Sequence, residues 1–151
     1  MHAAEARDTL QGFVDRISAV RTRIDEAAIR AGRDPAGVRI VGASKQMPAE
    51  RLRLAVAAGL LDLGENRVQE ARGKIDALGD LEPQPTWHMI GHLQSNKARH
   101  AARLFEWIHS VDSAALAAEL DRRRAEVGRP LQVLVEVNTT GEASKYGVSP
   151  E

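Results

Sequence analysis

Cysteine is missing from all 151 residues, so a disulfide framework, a cysteine-based zinc site and a thiol nucleophile are excluded. Net charge is missing as well: 21 Lys and Arg offset 21 Asp and Glu, and no global field argues for nucleic acid or an anionic membrane as a partner. No apolar run approaches the length that crosses a bilayer. The opening MHAAEARDTL has no basic region leading into a continuous apolar segment, unlike a secretory signal. Glycine-rich phosphate loops of the GxGxxG or Walker type are lacking too. These absences predict a soluble, cytoplasmic chain whose length suits one modest domain.

What the chain does have is an alternation of two periodicities. Leu10, Phe13, Val14, Ile17, Val20 and Ile24 recur mainly at steps of three or four, which predicts an amphipathic helix over about 4–31. Gly32 to Pro35 stops it, and Val38 to Lys45 then reads as a buried strand. Leu52, Ala55 and Val56 line the next helix, with Pro48 near its start and Gly59 as its terminator. Further strands are expected over 60–63, 86–90, 107–111 and 131–138. Between them, Val68, Ala71, Ile75 and Leu78 mark one helix, and Ala98, Ala101, Ala102 and Phe105 the inward side of another, capped by Ser95 or Asn96. Leu116 and Leu120 mark a third, leaving Arg122, Arg123 and Arg124 as a solvated charge run rather than an RNA or phosphate patch. Five strand candidates alternating with helices predict an α/β fold, and both an open doubly wound sheet and a β/α barrel satisfy that spacing.

Polar side chains gather at the strand exits: Lys45, then Glu65 and Asn66, then His88 to His92, then Ser110 and Asp112, then Asn138. In parallel α/β folds these ends face the ligand site. A deprotonated lysine there attacks an aldehyde or ketone, which suits either pyridoxal phosphate or the Schiff base of a cofactor-free aldolase. The bland alternative is a surface lysine that begins a loop. Asn66 could orient a cofactor without adding charge, while Glu65 could hold the loop or a neighbouring base. His88 and His92 could form a polar wall, a proton relay or a metal pair, but no third ligand has suitable spacing and no metal is expected. A satisfied network of loop caps would give much of the same pattern.

The ordered segments VGASK (41–45), GENRVQE (64–70), WHMIGHLQSNK (87–97), IHSVD (108–112), VEVN (135–138) and SKYG (144–147) resemble those of the pyridoxal phosphate homeostasis protein family, whose fold is similar to the barrel domain of bacterial alanine racemase. The resemblance implies a partial TIM-type (β/α) barrel like those of fold type III pyridoxal-phosphate proteins, one domain over 1–151 with about five strands present and the later strands absent. It implies pyridoxal 5'-phosphate bound covalently as an aldimine on Lys45, with Asn66 at the cofactor and His88 and Gly91 lining the site. The implied role is vitamin B6 and amino-acid homeostasis without a turnover reaction, with apo forms of pyridoxal-phosphate enzymes as further partners. The family's phosphate-holding groups belong to its later strands, so weak retention of the cofactor is expected. A monomer is expected of the full family, and self-association of a partial barrel. The alternatives are a pyridoxal-phosphate-dependent amino-acid enzyme such as a racemase, and an incomplete barrel fragment without cofactor.

Overall fold

In a computed structural model, residues 9–150 are described, so positions 4–8 of the expected first helix lie outside them. Helix α1 spans Leu10–Arg30, capped where Thr9 Oγ1 accepts from the Gly12 amide. It ends at Ala31 and Gly32, the latter at φ 65°, a left-handed turn that glycine adopts without steric cost. Arg21 then donates to the carbonyl of Val38 and ties the helix to the approach of the first strand.

Strands β1 (Val41–Ala43), β2 (Asp62–Glu65), β3 (Thr86–Met89), β4 (Trp107–Val111) and β5 (Gln132–Val135) form one parallel sheet in the order β1-β2-β3-β4-β5. Helices α2 (Ala49–Ala57), α3 (Val68–Ala77), α4 (Ala98–Leu104) and α5 (Ala114–Ala125) fill the crossovers. Strand order follows chain order without a switch point, as in a barrel wall and unlike a doubly wound sheet. The fold is therefore α/β, a five-stranded parallel sheet resembling part of a TIM barrel.

Register divides the side chains between two faces. Gly42, Leu63 and Trp87 stand in one row, and Glu65, Met89 and Ile108 in another on the same side, because in-register residues of parallel strands point the same way and alternate residues point oppositely. Leu63, Trp87, Met89 and Ile108 there join Leu52, Val56, Val68, Leu78, Phe105, Leu116 and Leu120 in the buried core beneath the helices. Val41, Asp62, Thr86, Gly64, His88 and Trp107 occupy the other face, which would be the interior of a barrel.

Some elements depart from the sequence expectation. Strand β2 begins at Asp62 rather than at position 60, because the Leu60 amide still bonds Ala55 while Gly59 turns at φ 91°. Neither Ser95 nor Asn96 caps α4; a 3-10 turn over Ser95–Lys97 runs directly into the helix. Arg124 is not outward but buried: its guanidinium donates to the carbonyls of Ala102 and Phe105 at the end of α4 and of Arg129 and Pro130 before β5. Helix C-termini leave carbonyls unpaired, and a buried guanidinium with five donors meets that need. Arg122 and Arg123 pair with Glu119 on the exposed side.

Candidate functional site

Lys45 follows β1 at the carboxyl edge of the sheet, in a turn where Met47 N–H bonds the Ser44 carbonyl and Gln46 takes φ 61°. Its side chain is exposed and has no hydrogen-bond or ion-pair partner among the described residues. The pairing of Ala43 with Gly64, continued by the bond from Ser44 N–H to the Gly64 carbonyl, puts Lys45 level with Asn66 on the next strand exit.

Beneath this edge lies a polar group that the sequence signalled only in part. Glu65 is fully buried, and its Oε1 accepts from Ser44 Oγ at 2.6 Å and from Lys74 Nζ at 2.5 Å. Lys74 also donates to the carbonyl of Ser44 at 2.7 Å. Glu65 thus holds the loop that carries Lys45, as its place at a strand exit suggested. Lys74 carries no signal in the sequence, because it sits one turn from the end of α3, and only the fold brings it to Glu65.

Gly91 lies against Asn66: a Cβ built on it would meet the Asn66 carbonyl oxygen at 2.6 Å and Cα at 2.8 Å. Its own carbonyl accepts from Ser110 Oγ at 2.6 Å. Asn66, Gly91, His92, Lys97 and Tyr146 line an open cleft of about 570 Å³, which Lys45 and His88 do not line. Tyr146 stacks on His92 with ring centroids 3.5 Å apart, and Asp112 Oδ2 lies 3.4 Å from His92 Nδ1. Asn138 organises the loop that delivers Tyr146, accepting from Thr140 and Gly141 and donating to the carbonyls of Glu142 and Lys145.

His88 sits deeper, in the row of Gly64 and Trp107. Its Nε2 is 2.8 Å from Asp62 Oδ1 and its Nδ1 is 3.0 Å from His109 Nε2, while Arg39 also pairs with Asp62. A carboxylate only accepts, so His88 donates to Asp62 from Nε2, and in neutral His88 the Nδ1 accepts from His109 Nε2. Trp107 stacks over His88 with ring centroids 5.8 Å apart. Burial, and secondly the neighbouring His88, lowers the His109 pKa from 6.5. His88 and His92 therefore belong to separate networks, and among the described residues no cluster of three His, Cys, Asp or Glu could hold a metal.

The sequential parallel sheet is shared with known proteins. Residues 16–151 match the family model described as alanine racemase, N-terminal domain. The chain belongs to that family. Among relatives of this alanine racemase N-terminal domain chain, the pyridoxal phosphate homeostasis protein of Pseudomonas aeruginosa is 50% identical over 139 residues, which cover 92% of this chain and 60% of the relative. The Vibrio cholerae protein of the same name is 39% identical, covering 94% of this chain and 61% of its own length. PipY of Synechococcus elongatus, solved with pyridoxal phosphate bound, superposes with a TM-score of 0.78 at 42% identity, covering 91% of this chain and 58% of PipY. The chain thus spans about 60% of the length of the relatives it matches. No helix among the described residues is long and apolar enough to cross a membrane.

Proposed function

We propose that this chain binds pyridoxal phosphate, with Lys45 Nζ as the covalent attachment point, and serves vitamin B6 and amino-acid homeostasis rather than turnover. The observation that carries the reading is a primary amine without partners among the described residues, exposed at the carboxyl edge of the sheet and level with a neutral amide. That donor set fits an aldehyde cofactor, and the relative PipY holds the same one. When bound, the cofactor supplies an aldehyde that condenses with an amine, losing water, and a ring that draws electrons.

The chain's own residues divide the remaining work. Asn66 hydrogen-bonds without altering the charge of the site. Gly91 admits the Asn66 backbone and so fixes where that amide stands, and His88 supports the floor from the row below. Purified protein given pyridoxal phosphate is expected to gain the absorbance of a protein-bound imine, which borohydride fixes onto Lys45. Lys45→Ala abolishes that band. Peptide mapping that finds the label on another residue in the unsubstituted chain sinks the assignment.

A further inference from the structure

Two lysines approach Ser44 in opposite circumstances. Lys45 follows it in the chain, exposed and without a partner among the described residues. Lys74 reaches it from α3 and is largely buried, with 13% of its side chain exposed. We propose that Lys74 is the positioning residue for Lys45, and that its pairing with Glu65 keeps Lys74 itself out of imine chemistry. This rests on the reading of Lys45 as the attachment point.

The geometry concerns one peptide unit. Ser44 N–H bonds the Gly64 carbonyl at 2.8 Å, its Oγ lies 2.6 Å from Glu65 Oε1 and 3.0 Å from the Gly64 carbonyl oxygen, and its own carbonyl accepts from Lys74 Nζ at 2.7 Å. Every polar atom of Ser44 is held, and its carbonyl belongs to the peptide that leads into Lys45. The same carbonyl closes the following turn by accepting from Met47 N–H at 3.0 Å. Fixing a reacting group in advance removes the entropy that a mobile loop would lose when it reacts. The Lys74 ammonium is thus aimed at the part of the backbone that determines where the Lys45 amine begins.

The exclusion follows from burial. Glu65 is fully buried, its Oε2 has no hydrogen-bond partner, and Lys74 is its ion-pair partner among the described residues. Separating the pair would leave a carboxylate in the core without a counter-charge, which is strongly unfavourable. An ammonium in that pair has no lone pair to offer a carbonyl carbon, whereas Lys45 has no such restraint. Glu65 therefore does two things through one oxygen: it anchors the Lys45 loop and occupies the competing amine.

The test is timed labelling with pyridoxal phosphate and borohydride, followed by peptide mapping. The lysine nitrogen adds to the aldehyde carbon, water leaves as the C=N bond forms, and hydride reduces it to a stable secondary amine. In the unsubstituted chain Lys45 is labelled, and Lys74 to less than about a tenth of that extent. Lys74→Arg, which keeps the charge and the donors, retains the Lys45 rate within about twofold, whereas Lys74→Met slows it about tenfold. Glu65→Gln brings label onto Lys74, a change that loosened packing alone would not direct to that residue. Should Glu65→Gln fail to fold by circular dichroism, the double variant Glu65→Gln, Lys74→Met leaves no buried charge and carries the positioning test. Lys45 labelling at the unsubstituted rate in folded Lys74→Met or in the double variant overturns the positioning role. Lys74 labelling equal to Lys45 in the unsubstituted chain, or its absence in folded Glu65→Gln, overturns the exclusion. Label on neither lysine of the unsubstituted chain refutes the attachment site instead.

Discussion

Gly91 shows how a residue without a side chain can determine a site. A methyl group there would press on backbone atoms of Asn66, which cannot swing aside as a flexible side chain would. Gly91→Ala is expected to cost about 1–3 kcal/mol, read as a lower urea midpoint, and to weaken the imine band by displacing the Asn66 amide. His109 gives a pH dependence. Its pKa is lowered in the folded chain, by burial first and by His88 second, so the unfolded chain takes up that proton more readily. Stability therefore falls as pH drops below the ordinary imidazole value of 6.5, and the loss levels off below the folded-state pKa. Urea titrations between about pH 7.5 and about pH 5, a range that brackets an ordinary imidazole titration, should show this decline. His109→Gln should flatten it, and an unchanged slope would remove His109 as the cause. The sequence put Lys45, Asn66 and Glu65 at strand exits, where the structure has them, but it could not show that His88 faces Asp62 and His109 across three strands. That contact depends on register, which local pattern does not contain.

At the scale of elements, Arg124 does what a helix cap usually does from within its own helix. It reaches from α5 to the open carbonyls of α4 and of the turn before β5. Arg124→Met would leave those buried carbonyls without a donor and is expected to lower stability by about 3 kcal/mol, measured by urea unfolding. Arg122→Met on the exposed face should stay within about 0.5 kcal/mol. Three consecutive arginines read alike in the sequence, and only the direction of the helix distinguishes the buried one. Element type was legible because periodicity records burial: Trp107–Val111 is strand β4, and the alanines at 98, 101 and 102 are buried as their spacing required. Boundaries were less legible where a helix terminator and a strand compete for the same leucines, as at Leu60 and Leu61.

Across the whole molecule, the two ends of the sheet differ. Strand β5 is exposed along its full length, with Val133, Leu134 and Val135 open to solvent, and among the described residues it pairs only with β4, which leaves an apolar edge that can template another chain. Self-association at this edge is expected to show as concentration-dependent mass in light scattering. Val135→Lys should reduce it by placing a charge on the strand, and an unchanged mass would place the contact elsewhere. The order β1-β2-β3-β4-β5 also bears on how the chain is made. Each of β2 to β5 pairs with the strand immediately before it in sequence, so each of these segments leaving the ribosome finds that neighbour already synthesised. Such a sheet can assemble one β/α unit at a time during translation, at the pace of its own synthesis.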